Sequence, residues 1–136
     1  MTTNLTIIED ALRDIGVISE IDSASAEQGK YCLRRLNQMM EASKENDVDL
    51  GWFSQTSTTA TTPIPDWAEL GITASLSIAI APNYGATVSI ETAAIADEFG
   101  SMIVRKSISE KLDNADMSHL PVGAGSRPRH NILKGV

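Results

Sequence analysis

A chain of 136 residues with 42% hydrophobic but only 4% aromatic residues has the length of one ordinary domain and must build its core from Leu, Ile, Ala and Met. A single cysteine, Cys32, excludes an intrachain disulfide and a cysteine-based zinc site, and no run reaches the roughly eighteen apolar residues of a membrane span. The net charge of −7 is uneven: residues 51–100 carry no Lys or Arg, whereas after Asp116 only cations and two histidines remain. An acidic body of this kind lacks the phosphate-neutralising cations that gripping nucleic acid requires, and the basic end is left as an arm for an acidic partner. The start, MTTNLTIIED, lacks the basic residues of a signal peptide, so a protein kept in the cytosol is expected. So lean a composition suits a protein that completes its core against copies of itself.

The first predicted helix is short. Leu5, Ile8, Leu12 and Ile15 recur at helical spacing, Thr3 or Asn4 caps the start, and Gly16 closes the end in left-handed conformation. After the loop VISEIDSA, Ser25-Ala-Glu-Gln28 reads as a capping box that opens a helix running to about Asn46. Its apolar stripe is Cys32, Leu33, Leu36, Met39 and Met40, which makes Cys32 a buried structural thiol.

Residues 47–65 interrupt the helical pattern. Asp47-Val-Asp-Leu-Gly-Trp-Phe leads into SQTSTTATT and Pro63-Ile-Pro65, a Thr- and Ser-rich run that favours extended chain. The reading is a long surface loop or a projecting arm, in the form of a loose hairpin at most. Leu50, Trp52 and Phe53 within it either tuck beneath the loop or meet a neighbouring subunit.

Residues 66–80 alternate apolar and small side chains near Leu76, yet a helical template places every residue. Asp66, Glu69, Thr73 and Ser77 share a polar strip, Trp67, Leu70, Ala74 and Ile78 share one apolar face, and Ile72, Leu76, Ala79 and Ile80 share another. Gly71 and Ser75 between the faces permit close helix approach, so this helix is expected to be covered from two sides. Pro82-Asn-Tyr-Gly85 ends it. Ser89 or Thr87 then caps a last helix to about Leu112, with Ala93, Ala94, Ile95, Phe99, Met102 and Ile103 as its apolar side. Gly100 within it costs about 1 kcal/mol and is expected to mark close packing or a kink. Residues 114–136 read as a non-helical tail that cannot form a core of its own.

Motifs for chemistry are weak. Gly123-Ala-Gly-Ser126 lacks the Lys-Ser/Thr ending and the strand–helix context of a phosphate loop. His119 and His130 stand eleven residues apart without an acid after them, a poor metal pair. Asp10, Asp14, Asp47, Asp49 and Glu69 describe solvated faces rather than a hydrolytic pair, and no nucleophile elbow occurs. No enzyme activity, cofactor or metal is expected.

Three stretches, in order, carry a resemblance to a known family. The first is Ala11-Leu-Arg-Asp-Ile-Gly-Val-Ile with Ser25-Ala-Glu-Gln28 and Leu33-Arg-Arg-Leu-Asn-Gln-Met-Met40. The second is Asp49-Leu-Gly-Trp52, then Ile64-Pro-Asp-Trp-Ala68 and Ile80-Ala-Pro-Asn-Tyr-Gly85. The third is Leu120-Pro-Val-Gly-Ala-Gly-Ser-Arg-Pro128. Together they resemble the head-to-tail adaptors of tailed bacteriophages, also called head-completion or packaged-DNA-stabilising proteins. The chain departs from the family in having Ser77-Ile-Ala-Ile, without a basic residue, before Ala81-Pro82, and Arg129 where an aromatic residue often follows Arg-Pro.

The resemblance implies a structural virion protein at the head–tail junction, assembled in the bacterial cytoplasm. Its fold would be mainly α, a four-helix bundle-like body over residues 1–113 with an extended loop or arm at residues 47–65 and an extended tail over residues 114–136. Copies would form a ring, typically a dodecamer, beneath the portal protein, with the next tail component (a nozzle or tail-completion protein) on the far side. DNA would pass through an acidic lumen, whose like charge lets it slide, without specific binding. The tail would dock on the portal through Leu120, Pro121, Val122, Gly123 and Gly125, followed by Arg127, Pro128, Arg129, Ile132 and Leu133. Leu50, Trp52, Phe53, Ile64 and Trp67 would contact a subunit or tail component. The alternative is a small helical regulatory module that recruits an acidic partner through its basic tail.

Overall fold

A computed structural model describes residues 1–113, and the tail-docking positions from Leu120 to Leu133 lie outside them. The described chain is mainly helical and bundle-like, in the order α1 (Asn4–Asp14), α2 (Ala26–Glu45), α3 (Asp66–Ile80), a short 3-10 turn (Ala81–Tyr84) and α4 (Ile90–Asp113). No strand occurs among the described residues beyond an isolated bridge between Thr3 and Thr61.

Three of the four α-helices start where a side chain satisfies a free amide, and α3 starts at Pro65 without such a cap. Thr3 is the cap of α1 and accepts from the Thr6 amide at 3.3 Å, while Gly16 beyond its end adopts φ +74°. The capping box of α2 is complete: the Gln28 amide donates to Ser25 Oγ at 3.2 Å, and the Ser25 amide donates to Gln28 Oε1 at 2.9 Å. Pro65 enters α3 in extended conformation, with Asp66 and Glu69 in the first turn where the helix dipole favours carboxylates. Gly85 closes the 3-10 turn at φ +61°, and Ser89 Oγ accepts from the Thr92 amide at 3.1 Å to start α4.

α3 is the central helix and packs against α1, α2 and α4. Ile7, Ile8 and Leu12 of α1, Cys32, Leu36 and Met40 of α2, and Leu76 and Ile80 of α3 are the large side chains removed from solvent. Each aliphatic side chain buried in this way contributes about 1.5–3 kcal/mol of transfer free energy. Gly71 sets the α3–α4 distance: a Cβ there would lie 2.7 Å from Phe99 Cβ and 3.0 Å from Ile103 Cδ1.

The polar strip expected on α3 faces water at Asp66 and in part at Glu69, but not further along the helix. Thr73 and Ser77 are buried against α1, where Ser77 Oγ lies 2.9 Å from the Thr73 carbonyl and 3.3 Å from that of Ala11. A small hydroxyl that donates to a carbonyl of its own helix needs no solvent, so it is buried at little cost and lets α1 come close. Leu70 and Ile78, assigned to an apolar face, are instead 52% and 41% exposed.

In α4, Ala93 and Ala94 are exposed, while Ile103 is buried and Ile95, Phe99 and Met102 are half-buried. A Cβ on Gly100 would meet nothing within 4 Å, so the close packing expected there occurs at Gly71 instead.

Residues 47–65 form an extended irregular connection that folds back as a strap rather than projecting. The Asn4 and Leu5 amides donate to the carbonyls of Ala60 and Thr58 at 3.0 and 2.7 Å, and the Thr62 amide donates to the Thr2 carbonyl at 2.9 Å. Asn37 of α2 grips the strap twice, donating to the Gln55 carbonyl at 2.8 Å and accepting from the Gln55 amide at 2.9 Å. Asn4 itself is buried, and its amide donates to Gln55 Oε1 at 3.1 Å and to the Ser57 carbonyl at 3.0 Å. These bonds supply partners for backbone groups that neither helix nor sheet would satisfy.

Candidate assembly surfaces

The five residues expected at a subunit or tail contact divide in two. Trp52 and Ile64 are 3% and 4% exposed and belong to the core beneath the strap, so neither is free for a neighbour. The apolar side of the strap must be buried somewhere, and the common core of the helices provides the place. Leu50 and Trp67 are half-buried against the core, and Phe53 stands 63% exposed. The Lys106 ammonium lies 4.0 Å from the Trp67 ring centroid, a cation–π contact that ties α4 to the start of α3.

A larger apolar surface runs along α4. Ile90, Val104, Ile108 and Leu112 are 85%, 41%, 48% and 61% exposed. With 100° per residue they share one stripe with Ala94, interrupted by the exposed Asp97 and Ser101, on the side of the helix opposite Phe99 and Ile103. Val104, Ile108 and Leu112, four residues apart, form a continuous ridge about 12 Å long at the helical rise. Beside the ridge stands Arg105, which has no carboxylate within ion-pair distance among the described residues. Its Nε donates to the Ser101 carbonyl at 3.3 Å.

On another flank, α1 and α3 border an open groove of about 790 Å³. Leu70 and the half-buried Ile18 give it an apolar lining, and Asp10, Asp14, Asp66 and Glu69 make it acidic. Arg13 is the groove's cation, already bound to Asp10 at 3.0 Å and Glu9 at 3.4 Å. Burial pushes the Asp14 carboxyl above the usual range; the hydroxyl of Ser77 counters the shift and the neighbouring Asp10 adds to it. One oxygen of Glu69 is shielded from solvent and has no hydrogen-bond donor among the described residues.

A third patch is basic. Lys30, Arg34 and Arg35 lie on the exposed face of α2 around Tyr31, with both guanidinium carbons 5.7 Å from its ring centroid. None of these three cations is in an ion pair among the described residues.

Cys32 is fully buried, and burial raises its thiol pKa. Tyr84, packed edge-on to Tyr31 at 5.9 Å, is pushed up to about 12 by burial and then by the Cys32 group beside it. Of the acids singled out in the sequence, Asp47 pairs with Lys111 at 3.6 Å, and Asp49 accepts from the Gly51 amide at 2.9 Å. Among the described residues, no three His, Cys, Asp or Glu side chains cluster to hold a metal ion, and no helix is long and apolar enough to cross a membrane.

The α4 ridge was legible as four-residue spacing, but the competing Phe99–Ile103 face claimed the helix first. The clamp of Asn4, Asn37 and Gln55 carried no such signal, since polar residues near helix ends read as caps or solvated positions. Compared with known proteins, the chain matches no protein-family model and no curated protein.

Proposed function

We propose that the chain is a structural virion protein that forms a ring, of dodecameric type, between the portal of a tailed bacteriophage head and its tail, and that it helps to retain packaged DNA. The ridge of Val104, Ile108 and Leu112, left in solvent on a helical body with so few aromatic residues, carries the reading: such a body gains apolar burial by packing against others. The ordered stretches that resemble the adaptor family supply the kind of assembly. The portal lies on one side and the next tail component on the other, with residues 114–136 as the portal-docking segment. The ring assigns no reaction to the chain and no specific grip on DNA, whose phosphates meet a body of net negative charge.

Electron microscopy of the chain mixed with its portal protein tests the ring directly. A chain truncated after Asn114 is expected to keep its helical circular dichroism and lose portal binding. Equal binding by the truncated chain would sink the tail's docking role. The basic segment after Asp116 favours a second reading, a regulatory module that recruits one acidic partner. That reading predicts one chain per partner by native mass measurement, without ring stoichiometry.

A further inference from the structure

The ridge and the groove differ in kind and lie on different flanks. The ridge faces away from α3, whereas the groove is lined by α1, the loop after it and α3, with no residue of α4. One is a convex apolar surface with a cation at its side that is unpaired among the described residues, the other a concave apolar surface rimmed by carboxylates. We infer that the Val104–Ile108–Leu112 ridge of one copy seats in the α1–α3 groove of the next copy. The inference rests on the ring reading and names the contact that builds the ring.

The chemistry on each side supplies what the other lacks. Leu70, half in water at the groove, meets the ridge's aliphatic side chains, and both sides lose apolar exposure. Arg105, whose Nε is held by the Ser101 carbonyl, brings its four remaining N–H donors to a rim of Asp10, Asp66 and Glu69. Arg13 does not compete for this role, because Glu9 and Asp10 hold it. The contact uses two unlike surfaces, each once per copy, so it is heterologous and repeats until rotation closes it. Ridge packed on ridge would be isologous, would stop at two copies and would leave the groove open.

Paired cysteines test the contact on the full chain. Ile108→Cys and Leu70→Cys replace exposed side chains, and the fully buried native Cys32 leaves the parent chain as an unreactive control. With a short bismaleimide across a concentration series, the double variant is expected to give a ladder of linked chains. An equal mixture of the single variants is expected to give dimers alone, and each single variant nothing. Arg105→Glu is expected to lower linking at least tenfold, and Glu69→Arg in the same chain to restore it. Linking by Ile108→Cys alone would overturn the contact in favour of ridge-on-ridge pairing. No linking between chains at any concentration would also overturn it, as when the chain's own residues 114–136 cover the ridge. The ring reading is judged separately: closed rings on the portal without the 108–70 link sink the contact and keep the ring. The link in open chains that never close does the reverse.

Discussion

At Gly71 a single hydrogen atom sets the spacing of two helices. A methyl group there meets Phe99 Cβ, an atom fixed to the backbone of α4, so the helix as a whole must move. Gly71→Ala gains about 1 kcal/mol of helix propensity but suffers overpacking of about 1–3 kcal/mol. The expected net outcome is a less stable protein, read as a lower urea midpoint. The same substitution at Gly100, which faces open space, is expected to raise the midpoint. Tyr84 gives a second residue-scale prediction. Its folded pKa of about 12 lies above the ordinary 10.0, so the native state favours the neutral phenol. That contribution is whole below pH 10.0 and is lost as pH rises through about 12. Alkaline titration followed by phenolate absorbance is expected to show a late step that Tyr84→Phe removes.

At the scale of elements, the strap is the part most easily misread. Its Thr- and Ser-rich composition predicts extended chain, and extended chain is present; where that chain lies depends on two helices remote in sequence. Asn4 and Asn37 hold it through Gln55 and Ser57, so Asn4→Ala is expected to cost about 1–3 kcal/mol by leaving buried acceptors unmet. Proteolysis within residues 53–62 is expected to quicken in the variant, and unchanged cleavage would show that the backbone bonds suffice. The helices were far more legible, because their signals are local. Ser25 with Gln28 marks the start of α2, and Gly16 and Gly85 mark stops by adopting positive φ. α3 was legible as a helix but not in orientation. Its small hydroxyls bond to backbone carbonyls, so hydropathy alone does not say that Ser77 faces inward while Leu70 faces out.

For the whole molecule, the balance of covered and uncovered apolar surface matters most. Ile108→Glu is expected to leave the stability of the isolated chain within about 0.5 kcal/mol of the parent, since Ile108 stands 48% exposed among the described residues. The same change is expected to abolish self-association in sedimentation. A large loss of stability would instead show that the ridge is part of the core. The sequence made the ridge's residues visible but not their exposure, which depends on Gly71 drawing the opposite face of α4 onto α3. Trp52 and Ile64 failed as contact residues for the complementary reason: a strap pinned at both ends carries its apolar side inward. That pinning also orders events on the ribosome. Of the described helices α1 leaves the exit tunnel first, yet its opening amides find their partners at Thr58 and Ala60, and its apolar face finds α3 later still. α1 therefore waits, its opening amides unsecured, until the strap that follows α2 has been made.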